Sequence, residues 1–183
     1  KDSHGQDLEL ILEELGLVNG EVVLSSRKLP PEHISLMYNM ADCTINISDA
    51  EGFGLSTLEA LSCGKPIIAN MTGGLQEQVT DGTNWFGWGI QPSAKSVIGS
   101  LQVPYIYEDR ISENDFLEAM IKLYNMSDSE RTALGASGRE WTQDRFNFEK
   151  YITTWDDLFT KIVEEKGSWS DRAGHINYEV RTY

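Results

Sequence analysis

Short apolar runs separated by segments of helical period constrain this chain more than any other feature. Val22-Val23-Leu24, Cys43–Ile47 and Pro66–Ala69 each have the length and character of a buried strand. Strands covered on both faces read as nearly continuous apolar runs, and such runs alternating with amphipathic helices mark an α/β domain with a parallel sheet. The intervening segments supply the helices. Residues 7–17 place Leu8, Ile11, Leu12 and Leu15 on one face, with Gly20 beyond the end. Pro30 and Pro31 open a second helix, with Ile34, Met37, Tyr38 and Ala41 as its stripe. A third is expected from Leu55 to Cys63, closed by Gly64, and a short fourth after Gly73-Gly74.

Beyond Gly89 the pattern changes. Residues 91–112 show no clean period and contain Pro92 and Pro104, so an irregular excursion is expected, with one strand at Val103–Tyr107. Its Tyr105, Tyr107, Glu108, Asp109 and Arg110 could border a ligand cleft; a surface excursion packing its aromatics inward is the favoured reading. Helices are expected to dominate to about Glu165, one opened by a capping box of Ser127 and Glu130. In the last helix Tyr151, Trp155 and Phe159 recur every four residues beside Ile152, Leu158 and Ile162, the spacing of a packing surface. The expected organisation is one domain over residues 1–166 followed by a polar tail, 167–183. The chain opens on a helix where a doubly wound sheet normally opens on a strand, so a piece of a longer protein is expected.

With 15 basic and 29 acidic residues, the net charge of −14 argues against a nucleic-acid or anionic-membrane surface. Cys43 and Cys63 sit in apolar segments and are expected to be buried free thiols in a reducing compartment. No apolar run is long enough to span a bilayer, and no secretory signal is present. A soluble cytoplasmic protein is expected, with any peripheral membrane association left to parts outside this sequence. His4, His33 and His175 do not cluster, and no metal is expected.

The chemistry concentrates between Ser48 and Leu61, in the sequence Ser-Asp-Ala-Glu-Gly-Phe-Gly-Leu-Ser-Thr-Leu-Glu-Ala-Leu. The segment follows a strand and opens a helix, where ligands sit in open α/β sheets. Gly52 and Gly54 allow a tight turn and close backbone approach. Leu55, Ser56 and Thr57 begin the helix, whose free amides and dipole favour a diphosphate. Glu51 precedes the turn and Glu59 lies within the helix; a carboxylate accepts hydrogen bonds from two neighbouring hydroxyls, which suits a sugar or ribose diol. For either glutamate alone, stabilisation by the helix dipole is an equal reading.

Glu51 and Glu59 around Gly-Phe-Gly-Leu-Ser resemble the EX7E motif of GT-B-fold retaining glycosyltransferases, above all glycosyltransferase family 4. Leu36, Tyr38, Ala41 and Asp42, then Leu58-Glu59-Ala60, Gly64–Ala69, Gly73-Gly74-Leu75, Glu77, Val79, Asp81-Gly82 and Gly87–Ile90 resemble that family's donor domain in order and spacing. The resemblance runs from about residue 7 to 90 and more weakly to 165. It implies a Rossmann-like parallel sheet with helices on both faces, the C-terminal half of a GT-B fold whose first strand is missing here, with a helical C-terminal region. It implies a nucleotide-sugar donor and transfer with retention to an acceptor hydroxyl, without a metal or other cofactor. Glu51 would face the anomeric centre. Phe53 and Gly54 amides would hold the sugar, with Gly52, Gly73 and Gly74 beside it, and those of Leu55 and Ser56 the diphosphate. Glu59 would bind the ribose. Arg27 and Lys28 would lie near the nucleobase, or are plain solvated loop charges. The family's acceptor-binding N-terminal domain is a further implied partner, without which these residues are expected not to transfer sugar. A glycogen- or starch-synthase-type transferase and a noncatalytic sugar-nucleotide-binding module are the alternatives; a GT-B epimerase fits the glutamate pair poorly.

Overall fold

The computed structural model describes residues 6–25 and 27–168. The chain divides into two compact units between Ile34 and Ser35. The first holds α1 (Leu8–Glu14), opened by the Asp7 carboxylate, which accepts from the Leu10 amide at 3.4 Å. The expected strand at Val22-Val23-Leu24 does not form: these residues are exposed, Val23 to 85%, and no described strand pairs with them. An apolar triplet becomes a strand only where a ladder partner satisfies its backbone. The next helix, α2 (Pro31–Met40), spans the division between the units.

The second unit is built on three parallel strands in spatial order β1-β2-β3: β1 (Thr44–Asn46), β2 (Ile67–Asn70) and β3 (Gly87–Ile90). Thr44 pairs with Ile67, which also pairs with Gly87. α3 (Leu55–Ser62) joins the first two strands and α4 (Leu75–Val79) the last two. All four residues of β2 are buried, and their alternation sorts them to two faces. Ile67 and Ala69 join Ala60, Leu61, Leu75, Val79 and Phe86, with Tyr38, Met71 and Trp141 packed against them. Ile68 joins Ile90, Ala119 and Leu123, with Cys43, Trp88 and Phe116 alongside. Helices therefore cover both faces, as the apolar runs require.

Residues 91–112 depart from expectation. β4 (Ala94–Ile98) and β5 (Ile106–Arg110) form an antiparallel hairpin, registered from Ala94 opposite Arg110 to Ile98 opposite Ile106. The hairpin lacks an apolar face turned to the core, so it shows no period in sequence; its ladder holds it instead. Tyr105 and Tyr107 are 76% and 61% exposed, so the aromatics do not pack inward.

Three helices follow: α5 (Glu113–Tyr124), α6 (Asp128–Arg145) and α7 (Phe148–Lys166). The Ser127–Glu130 capping box is present at the start of α6. The α7 stripe forms a ladder of rings, with Tyr151 to Trp155 centroids 6.2 Å apart and Trp155 to Phe159 5.3 Å. It is exposed, and α7 buries none of its residues among those described, so the packing expected of it is not seen there. Residues 169–183 of the expected tail lie outside the described residues. Both cysteines are free but only half-buried. No described helix is long and apolar enough to cross a membrane.

Phe86, 1% exposed, stacks on Trp141 with centroids 5.2 Å apart. Phe86→Ala is expected to lower the unfolding free energy by about 3–5 kcal/mol, the usual cost of an aromatic cavity. Urea denaturation with an unchanged m-value checks this.

Candidate functional site

The loops after β1 and β2 both leave the sheet at its carboxyl end, where open α/β sheets bind ligands. The first carries Glu51-Gly52-Phe53-Gly54 into α3, and the second carries Thr72-Gly73-Gly74 into α4. They are in direct contact. A Cβ at Gly73 would overlap the Glu51 carbonyl oxygen, and one at Gly74 would sit 2.7 Å and 2.8 Å from the carbonyl oxygens of Phe53 and Gly52. Gly73 also has φ +47°, so both conformation and space demand glycine there.

Gly54 caps α3 in the left-handed region at φ 89°, with no side-chain hydrogen bond to the first-turn amides. α4 likewise begins at a glycine, Gly74, without a side-chain cap. Asp7, Ser112, Ser127 and Asn147 do cap α1, α5, α6 and α7. Neither helix at this site has a side-chain cap; in α4 the Leu75 and Glu77 amides donate to the Thr72 and Gly74 carbonyls, whereas the first-turn amides of α3 are left to donate to another partner. Leu55 and Ser56, in the first turn of α3, are exposed.

Below the turn, Thr57 and Gln78 are buried and joined at 2.5 Å between Thr57 Oγ1 and Gln78 Oε1. Gln78 Nε2 donates to the Phe53 carbonyl at 2.6 Å, fixing the turn between the two glycines. Thr57 Oγ1 also lies 2.8 Å from the Gly54 carbonyl, and its single hydrogen serves one acceptor at a time. The Phe53 ring meets Phe146 edge-on at 5.8 Å, and Phe146 meets Trp141 at 5.5 Å. Phe53 is thereby tied to the core through rings as well as through its backbone.

Glu51 is half-buried, and Glu59 is exposed on α3. The Tyr38 hydroxyl donates to Glu59 Oε2 at 2.9 Å. Burial first, then this bond and the Glu59 charge, push the Tyr38 hydroxyl up to about 12. Tyr38 therefore stays a neutral donor and holds the glutamate in one orientation. Arg27 and Lys28 are exposed residues of the first unit.

The hairpin base brings in Asp109 and Arg110, two of the residues of the 91–112 segment that could border a ligand cleft. The Asp109 amide donates to the Asp49 carbonyl at 2.7 Å, and its own carbonyl accepts from Asn70 Nδ2 at 2.7 Å. Its carboxylate accepts from Thr72 Oγ1 at 2.8 Å and pairs with Lys95 at 3.2 Å. The Thr72 bond and then Lys95 hold that carboxyl below the usual carboxylate range. Arg110 pairs with Asp49 at 2.8 Å and with Glu108. Among the described residues no group of three or more His, Cys, Asp or Glu side chains is placed to hold a metal.

The family profile described as "Glycosyl transferases group 1" matches residues 4–122. The chain belongs to the group 1 glycosyltransferases. It is 43% identical over 75 residues to the D-inositol 3-phosphate glycosyltransferase of Corynebacterium jeikeium, an alignment covering 41% of this chain and 17% of that protein. The sucrose-phosphate synthase of Thermosynechococcus elongatus superposes with a TM-score of 0.65 at 25% identity, covering 86% of this chain and 34% of the synthase. The C-terminal domain of a group 1 family protein from Francisella tularensis shares the fold, with a TM-score of 0.53 at 21% identity over 77% of this chain and 61% of that one. The chain thus spans about a third or less of the full-length relatives named here.

Two outcomes test this geometry. Thr57→Val keeps the shape but leaves Gln78 Oε1 buried and unpaired, at an expected cost of about 1–3 kcal/mol in denaturant titration. For Tyr38 the neutral form is favoured in the fold, so its contribution is complete below pH about 10 and is lost as pH rises to about 12. In phenolate absorbance, the difference between wild type and Tyr38→Phe should titrate with a midpoint near 12; a midpoint near 10 would mean that neither the burial of Tyr38 nor its bond to Glu59 holds in solution.

Proposed function

We propose that the second unit binds a nucleotide-sugar and presents its anomeric carbon for transfer, with retention, to an acceptor hydroxyl. The observation that carries this reading is the uncapped start of α3 at Gly54, with the Gly73-Gly74 turn packed directly against the Glu51–Phe53 backbone. Free amides of α3 at Leu55 and Ser56 suit a diphosphate, because unpaired N–H groups and the helix dipole both favour an anion. Glu59, oriented by Tyr38, accepts the two ribose hydroxyls. Glu51 takes hydroxyls of the donor sugar, beside the Phe53 and Gly54 amides and the Gly73-Gly74 turn.

Departure of the nucleoside diphosphate breaks the anomeric C–O bond and leaves an oxocarbenium-like sugar; the acceptor oxygen adds on the face the leaving group vacated as its proton passes to the departing diphosphate oxygen. Amides already aimed at the diphosphate stabilise the charge that develops on it, so protein donors fill the electrostatic role a metal has elsewhere. Transfer is proposed to need an acceptor-binding second domain across the cleft, and these 183 residues alone are expected to bind the donor without turning it over.

The test is a thermal-shift panel of UDP, GDP and ADP with their sugar conjugates. Ligand at about a hundredfold above Kd adds about 2.7 kcal/mol to stability, a shift of several degrees. One base should be preferred. Glu59→Ala should abolish its shift, whereas Glu51→Ala should erase only the increment that the sugar adds. A shift equally large for every nucleotide and unchanged in Glu59→Ala would overturn the assignment.

A further inference from the structure

We propose that Asp109 and Arg110, at the base of the β4–β5 hairpin, are positioning residues that set the spacing of the two loops carrying Glu51 and Gly73-Gly74, and so govern recognition of the sugar rather than the nucleotide. This rests on the donor-site reading above and extends it to a segment outside the glycine-rich loops.

Every polar group of Asp109 is committed to this task. Its amide takes the Asp49 carbonyl, two residues before Glu51, and its carbonyl takes the Asn70 amide at the end of β2. Its carboxylate takes the Thr72 hydroxyl, directly before Gly73, and is pinned from the hairpin side by Lys95. Arg110 adds a charged contact to the Asp49 carboxylate, 2.8 Å away. One side of the hairpin base thus touches both loops at the residues that lead into the candidate sugar site.

Asn70 shows that this junction is built at a cost to stability. β2 otherwise reads Ile67-Ile68-Ala69, and an apolar residue would suit its fourth buried position. Instead Asn70, fully buried, divides its Nδ2 between the Ser48 carbonyl at 2.9 Å and the Asp109 carbonyl at 2.7 Å. Its Oδ1 is left buried without a partner. A buried unpaired acceptor is a feature that folding alone selects against. Its amide joins the loop after β1 to the hairpin, the same two segments that Asp109 and Arg110 join.

The nucleotide end is held by other means. Glu59 is oriented by Tyr38, and α3 is anchored through Ala60 and Leu61 in the core and Thr57 on Gln78. Loosening the hairpin base should therefore separate sugar recognition from nucleotide recognition, which a general loss of stability would not do.

The test measures Kd for UDP, GDP and ADP and for UDP-glucose, GDP-mannose and ADP-glucose, on wild type, Asp109→Ala, Asp109→Asn and Arg110→Ala. Leu123→Ala, which removes core packing on the face of the sheet away from α3 and α4, serves as the control for lost stability. Asp109→Ala should weaken the preferred nucleotide-sugar by about tenfold more than its parent diphosphate, the effect of one lost charge-assisted contact. Asp109→Asn keeps an acceptor for Thr72 and should recover most of that ratio; Arg110→Ala should shift it in the same direction by less. Leu123→Ala should lower the melting temperature and leave the ratio unmoved. Hydrogen exchange should quicken at 49–54 and 71–75 in Asp109→Ala, with 55–61 unchanged. Sugar conjugate and diphosphate weakening together in Asp109→Ala, or a ratio equal to that of wild type, would overturn the proposal while leaving the donor site standing. Wild type that binds none of the six ligands would overturn the donor reading and this specificity role with it, and unchanged exchange at both loops would independently overturn the coupling.

Discussion

The second unit depends on a four-residue strand with no solvent face. Ile67 and Ala69 bury into one core and Ile68 into the other, so both cores pack on β2. A strand in that position can carry almost nothing polar, because an unpaired polar group there meets neither water nor a ladder partner. The one polar residue it carries, Asn70, falls at the carboxyl end, where backbone carbonyls from two other segments are in reach. The sheet's burial thus dictates where polar chemistry can begin, and it begins at the site.

The same logic explains the glycines. A side-chain cap stabilises a helix start by about 1 kcal/mol. α5, α6 and α7 have such caps, and none of the three is entered from the loops that meet at Glu51. α3 and α4 lack them and lie at those loops. Gly73 and Gly74 let two loops approach until no Cβ would fit between them, so the amide groups of both are gathered into one small region. The α3 start forgoes the stability a side-chain cap would add and keeps its first-turn amides free to donate.

Most of this arrangement was legible in the sequence where burial writes a period. The runs Cys43–Ile47 and Pro66–Ala69 became β1 and β2, the Leu55 and Gly74 starts opened α3 and α4, and the capping box at Ser127 formed as its spacing required. Val22–Leu24 misled because apolar character specifies a strand only together with a neighbour, and a neighbour is not a property of three residues. The hairpin misled in the opposite direction. Its strands face solvent on much of their surface, and its connection from Gly99 to Tyr105 is too long to carry the two-residue turn signature. The partners of Asp109 and Tyr38 could not be read from spacing, since each acts through a contact dozens or some twenty residues away. The candidate carboxylate pair lies on one loop–helix segment, which spacing can express; the Tyr38 hydroxyl that orients Glu59 comes from elsewhere in the chain.

The aromatic path from Phe86 through Trp141 and Phe146 to Phe53 joins the interior to the tip of the glycine turn. Close-packed rings have little freedom to adjust independently, so a change of volume at one end alters the room available at the other. Substitutions along this path should be epistatic: a smaller ring at Phe86 changes which residues are tolerated at Phe53. Sequence drift in the core is then restricted by the geometry of the loop as well as by stability, and the four positions are expected to vary as a set across a lineage.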